Sequence, residues 1–374
     1  NSLTLNNDNQ LCIDEDINMY GEDREINIDM LRIPLEFAPG VKIRFIGREI
    51  ALRKIVEWAE RGVGFPIVVY GPEGCGKTSW LKQSIKILEK MNYKVIYVNP
   101  AEENFENALI YTEDIKDIIR EVIPQGLQHI EISMSSLITR PSDLVFTIAY
   151  RIMRKMRKPK IAVLIDEAFQ RMELREASSY VKSLLNMIEH SSYEYDKIIA
   201  IVATSEGVSR SEIGRHLWAH IMPMWNMSKN DFRELYDQIP GEKPSFEDVW
   251  RITGGNPRIF RQLYSMRWNI DDAIDYIVRS KELTPDFISR WRRSLEEAVE
   301  DPDSIWRSET PREFIDELIR KNLIVYNLYE RRPGLWIDQP PPEKDLEIGV
   351  GRYVAWQTPL YREAVRKALK KINR

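Results

Sequence analysis

Eight consecutive residues, Gly71-Pro72-Glu73-Gly74-Cys75-Gly76-Lys77-Thr78, hold the most readable chemistry of the chain. Their spacing satisfies G-x-x-x-x-G-K-[ST], a loop that cradles phosphate. Glycines let the backbone wrap closely and aim its N–H groups at phosphate oxygens. The N-terminus of the following helix adds the positive end of its dipole. Lys77 is expected to reach the β- and γ-phosphates of ATP, and the Thr78 hydroxyl to ligate Mg²⁺. Gly71, Pro72, Glu73, Gly74, Cys75, Gly76 and Ser79 complete the cradle. A pair of acids, Asp166-Glu167, follows the apolar run Ile161-Ala162-Val163-Leu164-Ile165, with Asp166 lying 89 residues beyond Lys77. Asp166 is expected to hold the Mg²⁺ through water, and Glu167 to polarise the attacking water as general base.

These groups must be delivered to one crevice by strands and helices. Phe65–Tyr70 is short, apolar and rich in β-branched residues, and predicts a buried strand running into the loop. Trp80, Leu81, Ile85, Leu88 and Met91 recur at helical spacing after it. Lys94–Asn99 predicts the second core strand, ended by Pro100. A helix is predicted over 105–122, an extra strand over Leu127–Ser133, and a helix through Leu144, Ile148 and Ile152 with Ser142 or Asp143 as N-cap. A helix over 174–189, an apolar strand Lys197–Ser205 with a polar tip, and an edge strand Ile221–Trp225 containing Pro223 follow. Alternating strands and helices predict an α/β fold with a parallel sheet and ligand at the strand C-termini.

The formal net charge of −4 conceals an asymmetry: residues 1–30 carry eight carboxylates against Arg24 alone. That acidic head reads as a flexible or loosely docked tail. The only cysteines are Cys12 and Cys75, so no disulfide framework is expected. No signal-peptide pattern and no run near the ~20 apolar residues of a membrane span is visible, so a reduced, cytoplasmic chain with no membrane partner is expected. No metal-ligand cluster, nucleophile triad or internal repeat is apparent. The basic stretch Arg151–Lys160 reads as a solvated helix end.

Past the sheet, Ser228 caps a predicted helix through Phe232, Leu235 and Tyr236. Thr253-Gly254-Gly255-Asn256-Pro257-Arg258 then joins two helices, with Gly suited to a C-cap and Pro to the first helical turn. The last third predicts helices, a strand near Asn322–Tyr329, a loop over 329–350, a partner strand Tyr353–Gln357 and a final helix from Pro359. This order suggests a winged helix with Pro311–Lys321 as recognition-type helix and the 329–350 loop as an enlarged wing. From residue 281 onward, 18 basic residues meet 17 acidic ones, fewer positive charges than a DNA-reading domain usually carries. Arg312, Arg320, Lys321, Arg331 and Arg332 are the candidate contacts to double-stranded DNA.

The loop, the acidic pair and the Gly-Gly-Asn-Pro stretch together resemble archaeal P-loop ATPases of the STAND/AAA+ assemblage. The resemblance implies four parts: an acidic N-terminal extension (1–40), a P-loop ATPase core (41–227), a helical lid (228–280) and a winged-helix-like domain (281–374). It implies that Phe45-Ile46-Gly47-Arg48-Glu49, with Arg48, lies near the adenine. Thr204 or Ser205 would read the γ-phosphate, and Pro257 or Arg258 would face the phosphates from the lid. Arg210 or Arg215 could be a finger for a neighbouring subunit, although a plain surface arginine fits better. The expected function is an ATP-hydrolysing switch acting on or near DNA, with nucleotide-dependent homo-oligomers. The alternative is a regulatory or scaffold ATPase whose C-terminal domain binds protein.

Overall fold

The computed structural model describes residues 27–123, 141–169, 174–205, 210 and 212–372. The acidic head up to residue 26 and the predicted strand Leu127–Ser133 lie outside the described residues.

Within residues 31–47, whose prolines and glycines read as an extended entry segment, β1 (Pro34–Ala38) and β2 (Val41–Arg44) form a hairpin. The apolar runs downstream become β3 (Ile67–Tyr70), β4 (Tyr93–Val98), β5 (Leu109–Tyr111), β6 (Lys160–Ile165), β7 (Lys197–Thr204) and β8 (His220–Pro223). These make one sheet in the order β5-β4-β6-β7-β3-β8, parallel except for β5. Near-continuous apolar sequence is what a sheet covered on both faces demands. Alternate residues supply the two cores. Val69, Val95, Leu164 and Ile201 face the helices Glu49–Arg61 and Lys77–Lys90. Val68, Ile96, Val163 and Val202 face the helices Lys116–Val122, Pro141–Lys155 and Leu174–Glu189.

The single helix expected over 105–122 is broken. Leu109-Ile110-Tyr111 pairs antiparallel with Val98, Tyr97 and Ile96. The reason is the edge of β4, whose backbone groups need partners. The helix expected to start at Ser142 or Asp143 begins at Pro141. Pro223 sits on the edge strand β8, where its missing N–H does no harm.

The helices between Pro257 and Ser280 and the C-terminal segments share one core. Ile259, Leu263, Ala273 and Ile277 pack with Phe314, Leu318, Trp356, Leu360 and Ala364. Gly254, at φ +56°, lies so close to Pro359 that a Cβ there would come within 2.7 Å of its ring. The helix Arg312–Arg320 precedes β9 (Ile324–Tyr326), which pairs antiparallel with β10 (Val354–Trp356), and the helix Pro359–Ile372 follows.

The expected wing does not project as a free loop. Trp336 and Ile337 are fully buried, and the Ile337 N–H donates to the Pro223 carbonyl at 2.9 Å. The loop is therefore tied to the sheet edge at β8. Arg331 is turned inward and donates to the carbonyls of Tyr329 (2.8 Å), Gly351 (2.8 Å) and Pro342 (3.2 Å). Lys321 donates to the carbonyls of Lys281 and Glu282 at 3.2 and 3.1 Å. Arg331 and Lys321 are thus tied to backbone carbonyls, because desolvated carbonyls need donors, and Arg312 and Arg332 pair on the surface with Asp316 (3.1 Å) and Glu330 (2.8 Å).

Candidate active site

The strand order decides how the two motifs meet. β7 lies between β3 and β6, with Tyr70 beside Thr204 and Val202 beside Ile165. The loop after β3, the acids after β6 and the polar tip of β7 therefore emerge from neighbouring C-terminal ends. They line one cavity of about 1380 Å³, with Gly74, Gly76, Lys77, Thr78, Glu167 and Ser205 on one side. Phe45, Ile46, Met227, Leu235, Pro257 and Arg258 line it from the hairpin and the lid.

The loop has the backbone that the glycines were expected to permit. Gly74 and Gly76 stand at φ +78° and +106°. A Cβ at Gly71 would fall 1.9 Å from the Met224 carbonyl oxygen, so only glycine fits the crossing. The helix Lys77–Lys90 begins at once, and its first N–H groups have no partners within the helix. Lys77 is buried, with Nζ donating to the carbonyls of Gly71 (3.0 Å) and Pro72 (3.1 Å).

Asp166 is fully buried. Burial raises its carboxyl above the ordinary range, while hydrogen bonds from the Thr78 and Tyr97 hydroxyls and the charge of Lys77 pull the other way. The Tyr97 hydroxyl stands 3.1 Å from Oδ2. Tyr97 itself belongs to β4 and was read only as a strand residue. Glu167 occupies the left-handed region at φ +46°, which is uncommon for a residue with a side chain. Its Oε1 accepts from Ser205 Oγ at 2.5 Å. Thr204 is buried one residue earlier. Of the two candidates at the tip of β7, Ser205 bonds the acid directly.

The other side of the cavity is less legible in sequence. Arg48, at φ +65°, is buried, and its guanidinium makes three hydrogen bonds. It donates to Asp338 Oδ2 (2.9 Å), the Cys75 carbonyl (2.5 Å) and the Trp225 carbonyl (2.9 Å). It thereby joins the phosphate loop, the end of the sheet and the C-terminal loop. Arg258 pairs with Glu73 Oε1 at 2.5 Å, and Pro257 opens the lid helix Pro257–Ser265 next to it. Arg210 donates to the carbonyls of Tyr326 (2.8 Å) and Asn327 (2.9 Å) and lies over the ring of Tyr70. That makes it a tie between the sheet and the C-terminal hairpin within one chain. Arg215 is exposed and pairs with Glu212 at 3.0 Å. Arg151 and Lys155 in the basic stretch pair with Glu121.

A family model described as an ATPase domain predominantly from Archaea matches residues 45–263. No curated protein matches the chain. Similar solved structures include Orc1 of Aeropyrum pernix in complex with DNA. It is 15% identical, with 87% of this chain and 93% of that chain covered at a TM-score of 0.36. AMPPCP-bound DnaA from Aquifex aeolicus is 16% identical over 73% of this chain and 77% of its own, at 0.34. The RuvB Holliday junction branch migration motor of Thermotoga maritima is 12% identical over 75% and 90%, at 0.31.

Proposed function

The chain belongs to the family of ATPase domains found predominantly in Archaea, and from that premise we propose a Mg²⁺-dependent ATP hydrolase that works as a conformational switch. The observation that carries this reading is the convergence of Lys77, Thr78, Glu167 and Ser205 on one cavity at the ends of three adjacent strands, with the buried Asp166 hydrogen-bonded to Thr78. The residues fit the ligand. The cradle excludes a side chain at Gly71, and the donor set offers a lysine, a hydroxyl and a buried carboxylate.

In this mechanism Gly74, Gly76, Lys77, Thr78 and Ser79 bind the triphosphate through backbone N–H groups and the Lys77 ammonium. Thr78 and Asp166 would hold Mg²⁺, which would supply positive charge to offset that of the phosphates. Glu167 orients and deprotonates the attacking water, and Ser205 holds the Glu167 carboxylate by its hydroxyl. The apolar wall of Phe45, Ile46 and Met227 takes the adenine. Arg258 approaches the phosphates from the lid.

For the partner, the helix–strand–strand–helix order of 312–372 supports duplex DNA. The docking of the 329–350 loop on the core, with Trp336 and Ile337 buried, favours a second reading: a regulatory ATPase whose C-terminal part is held against its own core and released to a protein partner. No helix among the described residues is long and apolar enough to cross a membrane. Fluorescence anisotropy of a labelled duplex against the full chain with ATP, ADP or no nucleotide separates the two readings. Binding in one nucleotide state, with a salt slope of a few phosphate contacts, supports DNA. Absence of binding in all three states at low salt supports the protein-docking reading.

A further inference from the structure

Glu73 is the third residue of the phosphate loop, and both its backbone and its side chain are held from outside the sheet. Its N–H donates to Gln357 Oε1 at 2.9 Å, and its carbonyl accepts from Asn256 Nδ2 at 2.9 Å. Its carboxylate takes Arg258 at 2.5 Å on one oxygen, and Lys281 at 3.5 Å and Asn322 at 3.4 Å on the other. These partners form one polar chain. Asn256 donates to Asn226 Oδ1 at 2.8 Å, Asn226 donates to the Gln357 carbonyl at 2.9 Å, and Gln357 donates to Asn322. Asn256, Asn226 and Gln357 are buried, so the chain has little water to replace its bonds.

Arg258 is the cationic member of this group that lines the cavity, whereas Lys281 does not. Its N–H points at the Gly74 carbonyl at 3.3 Å, and its guanidinium lines the same cavity as Lys77 and Thr78. The Glu73 carboxylate and a bound triphosphate are anions a few residues apart on one loop, and they want the same guanidinium. Resting on the ATP reading above, we propose that Glu73 is a gate residue. Its carboxylate competes with nucleotide phosphate for Arg258, and the loser of that contest determines whether lid and C-terminal segments stay clasped to the loop. Glu73 thereby sets nucleotide affinity and ties it to the position of Asn322 and Gln357.

The ion pairs also act on Glu73 itself. Burial would raise its carboxyl, but Lys281, Arg258 and the bond from Asn322 outweigh burial and hold it below the ordinary range. A charged Glu73 is therefore the form the clasp selects.

The test is Glu73→Gln in the full chain, which keeps the shape and the two backbone bonds and removes the charge. Binding of a fluorescent ADP and of a non-hydrolysable ATP analogue is measured for wild type, Glu73→Gln, Arg258→Ala and the double variant. Glu73→Gln should tighten both nucleotides on the order of tenfold. With Arg258 already replaced by Ala, the same change should gain less than about threefold. Hydrogen exchange over 316–326 and 354–360 should be faster in Glu73→Gln without nucleotide, and in wild type only once nucleotide is added. A merely structural Glu73 would give unchanged or weaker binding, and that result overturns the gate. An equal gain in both backgrounds means bare charge repulsion and also overturns it. If wild type binds neither nucleotide, the ATP reading itself fails; if wild type binds and the variant does not gain, only the gate fails. Matching circular dichroism and melting of the variants shows that each has folded.

Discussion

On the sheet side of the cavity, Asp166, Glu167 and Ser205 stand one or two residues beyond parallel strand ends, and their bonds span modest intervals. Ser205 reaches Glu167 over 38 residues and Tyr97 reaches Asp166 over 69. On the lid side, Glu73 is held by Asn256, 183 residues away, by Asn322, 249 away, and by Gln357, 284 away. The first wall is rigid because each strand is hydrogen-bonded to both neighbours and buried on both faces. The second wall is a set of polar bonds between elements far apart in sequence. The proposed mechanism therefore places bond breaking at the first wall and state sensing at the second.

Removing the base should break the first wall's function most severely. Glu167→Gln is expected to lower single-turnover ATP hydrolysis by roughly 10²- to 10⁴-fold while nucleotide binding stays near wild type. A wild-type rate would move the base elsewhere. Next in size is the buried pair of the second wall. Asp338→Ala leaves Arg48 charged and without its carboxylate at a site 3% exposed on both sides. The cost is expected to be about 3–5 kcal/mol in denaturant unfolding, with release of the C-terminal loop seen by limited proteolysis. A loss below about 1 kcal/mol would mean that the two walls are not joined there.

Lys77→Ala removes a charged donor from the phosphates and should weaken ATP binding by about 1.5–3 kcal/mol, roughly 10- to 150-fold by calorimetry. Unchanged affinity in a folded variant would remove the loop from the site. The smallest effect concerns pH. The Glu73 carboxyl is held below its ordinary value, so the folded state binds fewer protons than the unfolded one. Its stabilisation is present above the ordinary carboxylate range, near pH 4.3, and is lost as pH falls through the lower folded value. The unfolding midpoint of wild type should therefore fall toward that of Glu73→Gln as pH is lowered from about 6 to below 4. A difference that stays constant over that window would show that Glu73 is not held charged.

The motifs of the first wall were readable because a phosphate cradle needs contiguous backbone and a strand tip needs only the residue after it. Gly71–Thr78 and Asp166-Glu167 carry their context in the flanking apolar runs. Other features were hidden for particular reasons. β5 was absorbed into a helix because three residues, Leu109–Tyr111, give too short a period to distinguish, and only the edge of β4 decides their state. Arg331 looked like a phosphate contact because its charge is visible in sequence and the carbonyls that claim it are not. Asp338 follows an apolar pair in a proline-rich loop, and nothing near it signals Arg48.

By itself, the sequence determined the parallel α/β core, the phosphate loop, the acidic pair and the helix punctuation at Gly254–Pro257, since each is a short-range preference of backbone or side chain. Tertiary structure alone decided that β7 separates the two motif strands and that the 329–350 loop lies on the sheet edge. It also decided that Glu73 meets Arg258, Lys281 and Asn322. These depend on which apolar faces bury against one another, Trp336 and Ile337 on the core and the lid on the final helix. Polar partners hundreds of residues apart are chosen only after that packing is set.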